Sequence, residues 1–301
     1  MKIDKQNGNI AFNDENHLYF DVTHPEDKYI SVTTLIHGYA QPFDKEFWSA
    51  YKSLEKLLPK EIWNIEKKSL LNTKKFDKSI LELHNISEND FNATQQDILD
   101  QWDEENRKSC ERGTKIHAEL ENSFYNSPKD ITLQKYGIGG KFECKKDYSD
   151  LDIENGVYPE YLIYYVSDDG ILKLAGQVDL IVKSGNEIVI IDHKTNKELK
   201  LKGGFDTKTR SSAKMLYPLV TLDDCNFNHY QLQLSTYAYM LQKLNPNFVI
   251  KDLILNHYDH KGNNTLYHCN YLKEDVERML NHHKKQIILE KQKERRKRIE
   301  Y

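Results

Sequence analysis

The chain has 301 residues, 38% of them hydrophobic, and sets 43 Lys and Arg against 47 Asp and Glu for a net charge of −4. That is enough apolar material for one sizeable core with appendages. The charge balance excludes a surface coated in positive charge, and no apolar run approaches the length that crosses a membrane.

In chain order, residues 9–22 alternate enough to form a small hairpin around Asn13-Asp14-Glu15-Asn16. Residues 44–125 follow a mostly helical pattern, with Pro59 near a helix start. Within it, Ser87 to about Phe124 reads as one helix that Ser87-x-x-Asp90 could cap. Ile116, Leu120 and Phe124 make an apolar stripe, and Gly113, His117 and Glu121 make the adjacent one. A glycine inside a helix costs about 1 kcal/mol against alanine, so Gly113 suggests that a neighbour approaches closely. The polar residues 126–156 read as a loop-rich insertion.

Strands are expected near 158–166, 171–183 and 187–194, the last two joined by a tight Ser184-Gly185-Asn186 turn. A basic connection follows, with Lys194, Lys197, Lys200, Lys202, Lys208, Arg210 and Lys214 around Gly203-Gly204. A helix is expected at 228–244, a strand pair at 249–258 and 265–271, and a last helix at 273–298 that ends in Arg295-Arg296-Lys297-Arg298. Either basic cluster could track a phosphate backbone, or be a surface loop and a solvated helix end. Cysteines stand at 110, 144, 225 and 269 with no Cys-x-x-Cys, which argues against zinc and against an iron–sulfur cluster. With no signal peptide read, reduced thiols in a cytoplasm are expected. The division expected is an N-terminal hairpin and helical elaboration (1–105), a catalytic core (106–272) and a C-terminal basic helix (273–301).

The chemistry concentrates in Gly176-Gln177-Val178-Asp179 and in Ile188-Val189-Ile190-Ile191-Asp192-His193-Lys194-Thr195. An apolar strand covered on both faces should not end in unpartnered charges, because burying them is costly. Asp192 and Lys194 are two apart and share a face, while His193 takes the other. Pairing the strands brings Asp179 beside Asp192, and two such carboxylates call for a divalent cation of the Mg²⁺ or Mn²⁺ type. The plainer reading is a solvated hairpin end with a salt bridge. His117 suits a neutral nitrogen ligand oriented by Glu121, or an ordinary surface pair one turn apart. Gln233 and Tyr237 are also one turn apart. Their amide and phenol can hydrogen-bond a phosphate or a base edge, or Tyr237 can simply be packed core.

Gly176-x-x-Asp179 with Asp192-x-Lys194-Thr195 resembles the core of the PD-(D/E)XK nuclease superfamily. Gly113-x-x-x-His117, Pro159-Glu160 and Gln233-x-x-x-Tyr237 resemble added signatures of its RecB-type exonuclease branch, in the same order. With Ser31-Val32-Thr33-Thr34-Leu35, the set is similar to the group of the mitochondrial genome maintenance exonuclease and its phage relatives. The resemblance covers about residues 30–245. It implies an α/β (α+β) restriction-endonuclease-like core, a mixed central sheet flanked by helices. It further implies a Mg²⁺- or Mn²⁺-dependent deoxyribonuclease acting on single-stranded DNA or strand ends in replication, recombination or repair. His117, Asp179, Asp192 and the His193 backbone carbonyl would ligate metal. Glu160 would hold an ion-bound water or a second ion, and Lys194 would position the attacking water. Thr195, Lys197, Gln233 and Tyr237 would contact DNA. The setting expected is a bacterial cytoplasm, or a phage gene expressed there, with DNA as partner, replication or recombination proteins beside it, and no membrane. The alternatives are an endonuclease or duplex-end exonuclease of this fold, or an inactive nucleic-acid-binding module.

Overall fold

The apolar runs that carry Asp179 and Asp192 fold back on each other, and the other elements are arranged around them. The computed structural model describes residues 3, 5–145, 153–206 and 210–299. Lys208 of the basic connection lies outside them. The chain opens with strands β1 (Lys5–Asn7), β2 (Ile10–Asn13), β3 (Leu18–Asp21) and β4 (Lys28–Ser31), then helices α1 (Val32–His37), α2 (Lys45–Leu57), α3 (Lys60–Thr73), α4 (Ser79–Leu83) and α5 (Glu88–Asn126). Next come β5 (Ile131–Leu133), β6 (Ile138–Phe142), β7 (Gly156–Val166), β8 (Lys173–Ser184) and β9 (Glu187–Lys194). Short strands β10 (Phe205–Asp206) and β11 (Ser211–Ser212) lead to α6 (Asn226–Leu244), β12 (Val249–Tyr258), β13 (Asn264–His268) and α7 (Lys273–Ile299).

Among the described residues, a nine-stranded mixed sheet runs β1-β2-β3-β4-β8-β9-β12-β13, with β7 also on β8. The run on β9 is apolar throughout because both faces are covered. Ile188 and Ile190 enter the main core with α1, α6 and α7, whereas Val189 and Ile191 enter a second core with Phe124, Leu133 and Tyr136. Each such side chain contributes about 1.5–3 kcal/mol by burial. Ser184 pairs with Glu187, leaving Gly185 and Asn186 as a two-residue turn, with Gly185 at φ +59°. β9 and β12 are parallel, and α6 is the crossover between them.

The arrangement of β8 sets up the site. β7 pairs along one edge of it, from Lys173 to Lys183. The other edge is shared. β4 takes Leu174 and Ala175, and β9 takes Leu180 to Ser184. Residues 176–179 lie in the fork between them.

The region 126–156, read as a loop-rich insertion, is more ordered than that at its start, and residues 146–152 of it lie outside the described residues. It holds β5, a 3-10 turn and β6, whose Leu133 and Tyr136 are buried in the second core. So small a hairpin needs few apolar residues, and its polar majority hides it. α2, α3, α4 and the start of α5 enclose their own core of Phe47, Leu54, Trp63, Leu70 and Phe91. Pro59 precedes α3 at its N-cap. Ser87 occupies the N-cap of α5, but its side chain makes no capping hydrogen bond. α5 has 39 residues and buries only Phe91, Ile98 and Phe124. At 1.5 Å per residue it is about 58 Å long. Its exposed middle carries charge pairs, Arg107 with Glu104 and Glu111, and Lys108 with Glu104. It runs unbroken through residues 105 and 106, and α7 packs on α6 through Val276, Met279 and Leu280. No helix of the described residues is long and apolar enough to cross a membrane.

Candidate active site

β7 and β8 lose their in-out alternation at the same height. On β8, Val178 and Ile181, three residues apart, both enter the main core, and on β7 Tyr158 and Tyr161 do the same. Glu160 and Asp179 take up these steps. The ladder passes from Pro159–Leu180 to Tyr161–Val178 without pairing them. Glu160 has φ +50°, the left-handed region, which costs a non-glycine residue about 1–3 kcal/mol. The dislocation brings both carboxylates to His117 on α5.

His117 Nδ1 lies 3.7 Å from Glu160 Oε1 and 3.6 Å from Asp179 Oδ2. One donor atom from each of His117, Glu160 and Asp179 falls within 4.8 Å of the others. Asp179 Oδ2 also accepts the His193 backbone N–H at 2.6 Å, replacing a ladder bond where β9 leaves β8. Glu160 accepts from Gln177 Nε2, and Lys5 Nζ sits 3.5 Å from both Glu160 and Glu121. Burial pulls the His117 imidazole down. The Glu160, Asp179 and Asp192 carboxylates outweigh it and raise the pKa to about 9. Burial raises Asp179, against the pull of His117 and Lys194.

Asp192 lies outside that three-residue group but close enough for its charge to act on His117 and Asp179. It is fully buried, and Lys194 Nζ stands 2.8 Å from its Oδ2. That contact lacks hydrogen-bond geometry, so Oδ2 is a buried oxygen with no hydrogen-bond partner. Gln233 Nε2 donates to Asp192 Oδ1 and to the Tyr237 hydroxyl, both at 3.2 Å. Burial pushes Asp192 up to about 6, and the Asp192 and Asp179 carboxylates hold Lys194 above its ordinary value despite its own burial. Lys194 Nζ also lies 4.9 Å from the Tyr230 ring centroid.

The residues expected to hold metal are thus divided. His117 and Asp179 meet Glu160 within ligand reach, while Asp192 is not in that group and pairs with Lys194 and Gln233. His193 points away from Asp192, as period two predicts, and its ring lies beside Tyr136 and Tyr258. Gln233 and Tyr237 are 6% and 2% exposed, so they support Asp192 from inside the core. Thr195 passes close to Gly113, where an added Cβ would lie 3.3 Å from its Oγ1. Lys197 is exposed. Sequence reasoning assigned no role to Lys5, Gln177 or Tyr230. The strand reading could have flagged Gln177, beside the motif glycine, and helical spacing from Gln233 could have flagged Tyr230. Lys5 gave no signal, being 155 residues from Glu160.

Two carboxylates and one imidazole within reach of one another suit a hard divalent cation. A family model for the PD-(D/E)XK nuclease superfamily matches residues 34–300. No curated protein matches the chain. Solved structures do match. One described as "Crystal structure of SSO0001" is 17% identical over 44% of this chain, with a TM-score of 0.27. The match spans half the length of that chain, 50%. The family match runs from α1 to the end of α7 and takes in the fork, both of its carboxylates and the Asp192-x-Lys194 pair, so the chain belongs to the PD-(D/E)XK nuclease superfamily.

Proposed function

We propose that the chain is a Mg²⁺- or Mn²⁺-dependent DNA exonuclease of the RecB-type branch that acts on single-stranded DNA or strand ends. The observation that carries this reading is the meeting of His117, Glu160 and Asp179 at the fork, with the Asp192–Lys194 pair beside it. His117, Glu160 and Asp179 would hold the ion, with Asp192 and the His193 backbone carbonyl at its border. A bound divalent ion supplies Lewis acidity toward the phosphate and a more acidic water. His117 must release its proton to ligate, so metal and proton compete for it. Lys194 stays charged and orients water or steadies charge that builds on the phosphate. Gln233 fixes the Asp192 carboxylate that holds Lys194. Work in replication, recombination or repair follows from such an activity, with DNA as the partner.

The test offers end-labelled linear single strands, linear duplex and circular single strands in Mg²⁺, Mn²⁺ or EDTA. The expected result is metal-dependent shortening of linear strands with circles intact. Cut circles would establish an endonuclease instead. Binding without cleavage in either metal would establish an inactive module. Asp179→Asn should abolish cleavage and keep DNA binding and the fold, and normal Mg²⁺-dependent turnover by that variant would refute the metal assignment.

A further inference from the structure

A groove of about 810 Å³ opens where the exposed middle of α5 passes the end of β9. Phe43 and Trp102 supply its apolar surface, and Thr195 and Lys197 border it on the side of the catalytic strand. Phe43 is 65% exposed, and its ring centroid lies 5.8 Å from that of Trp102 at 62°. Neither ring belongs to the cores described above. The exposed Phe43 ring and the half-buried Trp102 ring thus make a paired aromatic surface outside those cores.

The rim is basic, with Lys45, Lys108, Arg112 and Lys197 against the single acid Glu105. Lys45 and Lys108 lean on Asp103 and Glu104 at 2.8 and 3.1 Å. Arg112 donates to the Asp259 carbonyl, which leaves its charge unneutralised, and Lys197 has no ion-pair partner among the described residues. Trp102, Asn106, Ser109, Gly113 and His117 follow one another at helical spacing on a single face of α5. From Trp102 to His117 is about 22 Å along the helix axis. The groove and the metal cluster are therefore two ends of one track.

We propose that this groove binds a single DNA strand on its way to the cluster, stacking an unpaired base against Trp102 and Phe43 and resting phosphates on Arg112 and Lys197. Aromatic faces beside cations suit a single strand, because every base offers a π-face that a duplex hides. The inference deepens the nuclease reading and rests on it for the direction of the strand, but not for binding.

Binding of a labelled oligodeoxythymidine is measured by fluorescence anisotropy on the full chain in EDTA at several salt concentrations. Trp102→Ala should weaken binding about 5- to 150-fold, as loss of one stacked base predicts, while Trp102→Phe keeps most of the affinity. Arg112→Gln should reduce the salt slope by about one phosphate contact. Wild-type affinity in Trp102→Ala would overturn the proposal, as would a loss in Trp102→Phe equal to that in Trp102→Ala. Equal binding of blunt duplex would also overturn it. Hydrolysis of end-labelled linear single strands in Mn²⁺ by the unaltered chain tests the nuclease reading separately. If that hydrolysis is absent the nuclease reading fails, and the binding series still decides the groove.

Discussion

Gly176→Ala isolates the link between the sheet fork and the site. A Cβ built on Gly176 would stand 2.6 Å from Tyr237 Cε1, 3.0 Å from its hydroxyl oxygen and 3.2 Å from Cζ. Carbon atoms in contact rest at about 3.5–4.0 Å, so the ring must retreat by roughly 1 Å. Tyr237 is 2% exposed and packed among Leu234, Ala238 and Leu241 of its own helix, which leaves little room. Overpacking of this kind costs about 1–3 kcal/mol. The same retreat breaks the 3.2 Å bond between Gln233 and the Tyr237 hydroxyl, and Gln233 is the donor that fixes Asp192. A misplacement of about 1 Å near reacting groups can cost 10²-fold in rate. Thermal melts and single-turnover cleavage should therefore fall together in Gly176→Ala. In a Tyr237→Ala background the added methyl has space, and its cost should shrink below about 0.5 kcal/mol, a coupling that a double-mutant cycle reads directly. If Gly176→Ala melts and cleaves like the parent, the ring does not rest on this glycine and the reasoning fails.

Lys194→Ala should cut kcat by orders of magnitude while single-strand affinity persists, and Lys194→Arg should not rescue it, since a planar guanidinium places its donors differently. Collapse of affinity with normal saturated turnover would instead make Lys194 a phosphate anchor. Gln233→Leu keeps the bulk but removes the donor to Asp192, and activity should fall about 10- to 100-fold with DNA binding unchanged. In EDTA, the folded-state pKa of about 9 lies above the ordinary 6.5 of His117, so its contribution to stability is full below pH 6.5 and lost as pH rises through 9. The raised pKa corresponds to about 3 kcal/mol. With the side chain 30% exposed, solvent screening reduces that to about 1–2 kcal/mol. In urea titrations the gap between the chain and His117→Ala should be larger at pH 6 than at pH 10 by that much, and a constant gap across that range would refute the electrostatic reading. Leu54→Ala, at a fully buried position of the helical elaboration, should cost about 2–5 kcal/mol in the same titration.

The amino-acid sequence by itself determined what near neighbours decide. Period two along Ile188–Lys194 put Asp192 and Lys194 on one face and His193 on the other, and Gly185-Asn186 closed the hairpin. The superfamily, read from short motifs kept in order, the succession of the main elements from residue 158 onward, and the close approach at Gly113 were legible too, whereas β1, β4, α1, β5 and β6 were not. The tertiary structure alone decided how β4 and β9 share one edge of β8, because that depends on pairings between residues far apart in sequence. The break in alternation that turns Glu160 and Asp179 toward His117 follows from this arrangement and from a left-handed φ at Glu160 that no local pattern announces. So do the placement of Lys5 beside Glu160, the burial of Gln233 and Tyr237 behind Asp192, and the meeting of Phe43 with Trp102. Local periodicity says which way a side chain points from its own strand or helix, and only packing between distant segments says what it meets there.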